Sequence, residues 1–324
     1  MRVLITGGAG FIGSHLAEEL LNRGDMVYVI DDLSTGRLEN VEHLMSSPRF
    51  NIAVETILNE TVMDRLVSEC DVIYHLAAAV GVELIVNKPV EVIERNILGT
   101  EVVLKLAARY LKDVVITSTS EIYGKSDRVP FKESDDRVLG PTTKNRWSYS
   151  STKAIDEFLG LAYHKERNLG VTIVRLFNTV GPRQTGQYGM VIPRFVVKAL
   201  RNEPITVYGN GQQIRCFGYV GDVVNGIISL ANHKEANGQI FNLGNDQPIS
   251  ILDLAKKIKE KTNSKSEIVF VPYNEAYEEG FEDMSVRIPD LTKIKTMIGY
   301  EPKHNLDMIL DEVIKYFSHD KLAI

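Results

Sequence analysis

The sequence predicts an α/β protein: a doubly wound parallel sheet followed by a smaller C-terminal α/β unit. Three observations predict it. Short β-branched runs alternate with stretches of helical spacing through the first half of the chain. These strands are continuous apolar runs rather than period-two alternations, the pattern of strands covered on both faces. A glycine cluster separates the first strand from the first helix. After Phe177 the character changes, with Gly181-Pro182, Gly186, Gly189, Pro193, Pro204, Gly209 and Gly211 as punctuation. The reading therefore divides the chain into 1–176 and 177–324.

In order, Arg2–Thr6 reads as a buried strand and Ile12–Asn22 as a helix, its apolar face set by Ile12, Leu16, Leu20 and Leu21. Val27–Ile30, Val72–Leu76 and Val114–Thr117 are the next strands. Between the last two runs a helix, about Val90–Tyr110. A further helix covers Tyr149–Arg167, and Val171–Leu176 is another strand. In the second unit, helices at about Val220–Asn232, Ile251–Lys261 and Asn305–Phe317 interleave with strands at Ile205–Tyr208, Ile240–Leu243 and Ile268–Val271. The helix at 220–232 is expected to pack back on the first unit.

The 324 residues suggest two domains or one large α/β unit, and at 44% hydrophobic and 25% charged they hold ample apolar material for a core. Lys plus Arg is 37 against 43 Asp plus Glu, a net charge of −6, which argues against a nucleic-acid binder. Cys70 and Cys216 are too few for a disulfide scaffold, and the seven histidines show no ligand spacing, so no metal site is expected. A strand beginning at residue 2 leaves no room for a signal peptide, and no apolar run reaches a membrane span. The expectation is a soluble cytoplasmic protein with no membrane partner.

Gly7-Gly8-Ala9-Gly10-Phe11-Ile12-Gly13 follows the first strand and opens the first helix. There, backbone N–H groups and the helix dipole meet a pyrophosphate. Gly7 permits the turn, Gly10 removes the Cβ where phosphate approaches, and Gly13 lets the helix pack closely. Asp31 and Asp32 end the second strand. Asp31, read as lying at a surface-facing strand end, accepts bonds from an adenosine ribose and repels a 2′-phosphate. NAD is expected over NADP, with Arg37 the one cation in reach of a 2′-phosphate.

Tyr149 and Lys153 share a helix face one turn apart. An ammonium beside a phenol, with a cationic nicotinamide nearby, is expected to lower the phenol pKa towards operating pH. Such a phenolate takes the proton of an alcohol while hydride leaves the same carbon. Ser118-Thr119-Ser120-Glu121 ends an upstream strand at the carboxyl edge of the sheet, where ligands bind.

These residues resemble the extended short-chain dehydrogenase/reductases that modify nucleotide sugars. The resemblance runs along essentially the whole chain, through His75-Leu76-Ala77-Ala78, Asn96-Ile97-Leu98-Gly99-Thr100, Phe177-Asn178, Gly181-Pro182-Arg183, Tyr208-Gly209-Asn210-Gly211 and Arg215. It implies a Rossmann domain with a substrate domain, and a retained NAD that oxidises carbon 4 of a UDP-sugar. It implies that Phe11, Ile12, Ser34, Thr35, Gly36, Ile57, Leu76, Ala77, Ala78, Asn96, Thr117 and Phe177 join the glycines, Asp31, Asp32, Tyr149 and Lys153 around NAD. Arg146, Asn178, Arg183, Val191, Arg194, Thr206, Tyr208, Arg215 and Arg287 are implied for the sugar nucleotide, and a homodimer through paired helices is implied as well.

Thr119-Ser120-Glu121 is similar to the triplet of UDP-glucuronate decarboxylases and some 4,6-dehydratases. Arg146-Trp147-Ser148-Tyr149 and the segment Gly280–Pro289 resemble one bacterial branch of those decarboxylases, in which an arginine at the position of Arg287 is implicated in protonating the sugar. Thr119, Ser120, Glu121, Tyr149, Lys153 and Arg287 are therefore the catalytic candidates. Phe281 and Leu84 depart from that branch's tyrosines, and Thr56 with Glu55 stands where it has an adenine-contacting Asp. Gln184–Pro193 is closer to epimerases and dehydratases. The order of expectation is UDP-glucuronate decarboxylation, then 4-epimerisation, then 4,6-dehydration; a non-catalytic NAD sensor is disfavoured by the intact Tyr/Lys pair. His75, Trp147 and the cysteines read as packing, and Lys256–Lys261 as a solvated helix face.

Overall fold

The structure is a computed structural model describing residues 1–81, 88–186, 190–272, 275 and 284–319. The segments around Leu84, Gln187–Gly189 and Gly280–Asp283, Phe281 included, lie outside the described residues.

The first part of the chain forms β1 (Arg2–Thr6), α1 (Phe11–Asn22), β2 (Met26–Asp31), β3 (Phe50–Val54), α2 (Glu60–Glu69), β4 (Val72–His75), α3 (Pro89–Tyr110), β5 (Asp113–Thr119), α4 (Arg146–Arg167) and β6 (Val171–Leu176). A 3-10 turn, Ser120–Tyr123, follows β5. The second part forms β7 (Thr179–Val180), α5 (Val191–Leu200), β8 (Ile205–Tyr208), β9 (Ile214–Cys216), β10 (Gly218–Tyr219), α6 (Val220–Ala231) and β11 (Gln239–Leu243). Then come β12 (Pro248–Ser250), α7 (Ile251–Lys261), β13 (Ile268–Val271), β14 (Val286–Arg287), α8 (Thr292–Ile298) and α9 (Leu306–His319).

Seven parallel strands make the main sheet in the order β11-β6-β5-β4-β1-β2-β3. The strand order reverses between β1 and β4, which opens a crevice at the carboxyl edge of those two strands. The apolar faces of α1 and α6 cover one side of the sheet, with Leu16, Leu20, Val223, Val224 and Ile227 in one buried cluster. On the opposite side Met63, Leu66, Val103, Leu104 and Leu106 of α2 and α3 pack against Leu4, Ile73, Ile116 and Ile173.

One strand differs from the sequence expectation. The sequence places Ile240–Leu243 in the second unit, yet β11 pairs with β6 from Gln239↔Thr172 to Leu243↔Leu176 and extends the main sheet. The physical reason is α6: its buried Val220, Val223, Val224, Ile227 and Ile228 seal against the sheet, so the crossover returns the chain to the sheet edge. α8 and the residues flanking it also pack on the main sheet through Leu291, Ile294 and Tyr300, while a separate core forms where Phe195 and Val196 of α5 meet Leu254 and Ile258 of α7 and Ile309, Leu310 and Val313 of α9. Among the described residues, no helix is long and apolar enough to cross a membrane.

Candidate active site

A cleft of about 530 Å³ runs from the glycine turn to the C-terminal core. Gly7 adopts φ +72° and its N–H donates to the Ile30 carbonyl at 2.8 Å, so β1 turns sharply into α1. A Cβ on Gly13 would stand 2.2 Å from the Gly7 oxygen and 2.7 Å from the Gly8 Cα, which only glycine avoids. Gly10 caps α1 without any side-chain bond, leaving the first backbone N–H groups directed at the cleft.

Asp31 is buried, 7% exposed, and not surface-facing as the sequence suggests. Its carboxylate accepts the Ala9 and Leu33 N–H groups at 2.9 Å each, so it ties the glycine turn to the loop after β2. Burial pushes its pKa up, while those donors oppose the shift. Gly36 lies under this carboxylate, for a Cβ there would be 2.8 Å from both oxygens. Asp32 accepts from Ser34 N–H at 2.9 Å and pairs with Arg95 at 3.2 Å. Arg95 lines the cleft although the sequence does not single it out; its one signal is its place immediately before the Asn96 motif.

Most of the expected residues line this one cleft: Phe11, Ile12, Ser34, Thr35, Ile57, Leu76, Ala77, Ala78, Thr117 and Phe177 along the nucleotide half, and Asn178, Arg183, Val191, Arg194, Tyr208 and Arg215 along the other. Three do not. Besides Gly36, Asn96 is buried, its amide bonding the Ala79 backbone at 2.7 and 3.2 Å and reaching Thr152 at 3.3 Å. Thr206 offers its carbonyl to Arg194 Nη2 at 3.4 Å, from β8. Arg183 takes φ +66° and its guanidinium meets Glu18 of α1 at 2.5 Å. Gln184, from the Gln184–Pro193 segment, also lines the cleft, as does Gln213, which no motif in the sequence marks.

The chemical end is assembled from three separate segments. α4 begins at Arg146, earlier than the expected Tyr149, so its first turn presents both side chains. Glu121 stands on the 3-10 turn after β5, with Thr119 Oγ1 accepting its N–H at 3.2 Å and Ser150 Oγ donating to its carbonyl at 2.8 Å. β14 aligns Arg287 with Arg215 of β9. Arg287 Nη2 donates to Glu121 Oε1 at 3.1 Å, and Arg146 Nη2 lies 3.6 Å from the same oxygen. Both arginines are buried, 8% and 6% exposed. Thr119, Ser120, Glu121, Arg146, Tyr149, Lys153 and Arg287 all line the cleft. Ser118 instead turns under the site, its hydroxyl donating to Glu157 at 2.6 Å.

The Tyr149 phenol departs from expectation. Its pKa is pushed up, not down, first by burial and then by the Glu121 and Asp156 carboxylates. Lys153 Nζ donates to Asp156 Oδ2 at 2.7 Å, so its positive charge is matched locally. His75 is neutral, its pKa lowered to about 3 by burial and by the Lys153 charge, and its ring bonds Thr6 and Thr100 at 2.8 and 3.0 Å. Trp147 packs with Tyr123, Phe131, Phe177 and Met284.

The residues present fit a dinucleotide, for the turn excludes side chains where a pyrophosphate lies. In the other half of the cleft, Arg194 Nε and Arg287 Nε are buried donors without an acceptor among the described residues. Comparison with known proteins agrees. The family profile described as GDP-mannose 4,6 dehydratase matches residues 4–313. UDP-N-acetyl-alpha-D-glucosaminuronate decarboxylase of Bacillus cytotoxicus is 44% identical over 98% of this chain and 97% of its own. UDP-glucuronic acid decarboxylase 2 of Arabidopsis thaliana is 39% identical over 98% of this chain and 68% of its own. The crystal structure of UDP-glucuronic acid 4-epimerase from Bacillus cereus, in complex with UDP-glucuronic acid and NAD, superposes with a TM-score of 0.88 at 29% identity, covering 98% of this chain and 99% of that one. The protein is an enzyme that binds NAD and acts at carbon 4 of a nucleotide sugar, and the chain belongs to the extended short-chain dehydrogenase/reductase family of nucleotide-sugar-modifying enzymes.

Proposed function

We propose that the protein decarboxylates a UDP-uronate. The observation that carries this reading is the half-buried Glu121 held between the buried Arg287 and Arg146 just after β5, beside Tyr149. Tyr149 Oη accepts the proton of the carbon-4 hydroxyl; burial and the Glu121 and Asp156 carboxylates oppose its ionisation, and positive charge from Lys153, together with that of the nicotinamide when NAD is bound, would offset them. NAD, when bound, accepts the hydride from carbon 4 and later returns it. A ketone at carbon 4 lies β to the carboxylate carried by carbon 5. The bond to that carboxylate then breaks, its electron pair passes into the enolate, and CO₂ leaves. Arg146 and Arg287 bind the uronate carboxylate by charge-assisted hydrogen bonds. The enolate electron pair then forms a C–H bond at carbon 5 with a proton drawn from solvent, which the Glu121–Arg287 pair relays. Plain 4-epimerisation has no use for such a group, because only ketone rotation and hydride return follow oxidation.

The relatives divide over the substituent on sugar carbon 2. The Bacillus cytotoxicus relative, matched along nearly its whole length, favours the acetamido sugar over the hydroxyl sugar as a second reading within the same class. The proposal also includes a cytoplasmic homodimer. α3 and α4 leave Val90, Ile93, Leu98, Ile155 and Phe158 exposed, an apolar face suited to pairing helices across a two-fold axis.

The test offers UDP-glucuronate and UDP-N-acetylglucosaminuronate to the purified protein, with products followed by NMR. CO₂ release with a UDP-pentose product is expected, faster for the preferred sugar. Glu121→Gln should slow it by about 10²–10⁴, the usual range for a positioned acid–base group. Tyr149→Phe should abolish turnover while both ligands still bind. A wild-type protein that forms only the 4-epimer, with Glu121→Gln equally active, refutes decarboxylation.

A further inference from the structure

We infer that Asp156 is a positioning residue for the Tyr149/Lys153 pair, fixing the Lys153 ammonium and setting the charge against which Tyr149 gives up its proton. Asp156 is fully buried at 0% exposure, and a carboxylate is not buried without a purpose for its charge. Its Oδ2 receives Lys153 Nζ at 2.7 Å, while its Oδ1 is buried with no hydrogen-bond partner among the described residues. Lys153 is itself buried, so this contact is a desolvated ion pair within the first half of α4. The spacing of three residues places Asp156 on the same helix face as Lys153. Removing Asp156 leaves Lys153 without the acceptor that now orients it.

Few other charged groups among the described residues reach this pair. From the 3-10 turn there is Glu121, with Arg146 and Arg287 against it. From β4 there is neutral His75. On α4 itself Glu157 is committed to Arg175 and Ser118. From α3 the groups bonded into the region are Asn96 and Thr100, which carry no charge. Two negative charges, Glu121 and Asp156, therefore bear on the phenol, and both oppose its ionisation. Of the two, only Asp156 also holds the lysine. A fixed negative charge raises the proton affinity of its neighbours, so neutralising it lowers that affinity.

The inference rests on Tyr149 as the proton acceptor but not on which product forms, and its readout is independent of turnover. The full-length protein with NAD bound is labelled with [¹³Cζ]tyrosine, and the Tyr149 resonance is assigned by its loss in Tyr149→Phe. In Asp156→Asn the Tyr149 resonance should titrate with a midpoint lower by about one pH unit or more, the scale of one nearby charge. Asp156→Glu, which restores the charge, should return the midpoint towards wild type. Asp156→Ser serves as a second neutral variant should Asn fail to fold. A midpoint unchanged in the neutral variants, or left low by Asp156→Glu, overturns the inference. If the protein proves to be an epimerase, the decarboxylase reading fails while the titration still tests Asp156.

Discussion

Replacing Arg175 by Leu should cost the fold several kcal/mol in a way that depends on pH. Arg175 lies on β6, 5% exposed, and its guanidinium grips Glu157 through two bonds of 2.9 and 2.8 Å. It also donates to the Tyr123 hydroxyl at 3.0 Å and the Glu133 carbonyl at 3.1 Å. Glu157, 5% exposed, is then left with only the Ser118 hydroxyl. An uncompensated buried carboxylate costs about 3–5 kcal/mol. The penalty has a ceiling, because the carboxyl can take a proton. Starting from a pKa of about 4.3, protonation at pH 7 costs roughly 3.7 kcal/mol. The variant should therefore lose about 4 kcal/mol at pH 7 and only ~1 kcal/mol of that charge penalty at pH 5. The sign follows from linkage. Glu157 in the variant has a raised folded pKa, so the variant's deficit is small below the unfolded pKa and grows as pH rises above it. Urea unfolding of both proteins at pH 7 and pH 5 measures this. Ser118 and Tyr123 flank the Glu121 turn, so activity should fall with the fold intact at low temperature. A loss below about 1 kcal/mol at pH 7, or one equal at both pH values, would refute the account of the pair.

Three further outcomes are expected. Gly13→Ala drives a Cβ to within 2.2 Å of the Gly7 oxygen, so the turn must open; NAD affinity should fall by about 10- to 100-fold or more, measured by calorimetry, while a wild-type constant would disprove the cradle. His75 is held neutral with a pKa near 3 against about 6.5 unfolded, so the stability it contributes is present above pH 6.5 and lost as pH falls towards 3, at about 1.4 kcal/mol per pH unit. His75→Asn should flatten the acid slope of stability by one proton's worth, and His15, lowered to about 4, adds to the same slope. Phe158→Glu, at a side chain 66% exposed on α4, should give a monomer by light scattering with little change in monomer stability; a dimer of unchanged affinity would place the interface elsewhere.

The sheet is legible in the sequence because its strands are short apolar runs with little choice of partner. Arg2–Thr6, Val171–Leu176, Ile205–Tyr208 and Ile268–Val271 fall on their observed bounds. α5 escapes a sequence reading because Pro193 counts there as punctuation. A proline in a first turn lacks only a donor that has no intrahelical partner there, so Val191–Leu200 is helical. β9, β12 and β14 have three residues or fewer, and no periodicity survives at that length. The membership of β11 depends on where α6 carries the chain, which is a tertiary fact. Within the site, spacing along α4 places Tyr149 with Lys153. Spacing gives no sign that Asp156 would hold the lysine or that Asp31 would be spent on backbone donors. Both follow from burial, because a carboxylate shut away from water takes whichever donor is nearest.

The position of Glu121 bears on why one oxidised sugar would lose CO₂ rather than return as an epimer. The three charges at the end of the cleft, the half-buried Glu121 and the buried Arg146 and Arg287, sum to one positive charge, and both guanidinium groups approach the same oxygen, Glu121 Oε1. A uronate entering the cleft brings a second carboxylate to those arginines. The arginines attract it, while Glu121 competes for their donors and repels it. That conflict is tolerable for binding because the nucleotide end of the substrate contributes affinity remote from the reacting bond. It is relieved when the carboxylate leaves as neutral CO₂ and its charge moves onto the delocalised enolate oxygen at carbon 4, on the Tyr149 side. An uncharged group at carbon 5 meets no such repulsion and gains nothing by leaving. Glu121→Gln should therefore raise the affinity for the UDP-uronate while lowering turnover, a divergence of KM and kcat that marks lost ground-state repulsion. Weaker uronate binding in Glu121→Gln would instead show that the carboxylate serves to hold the arginines in place.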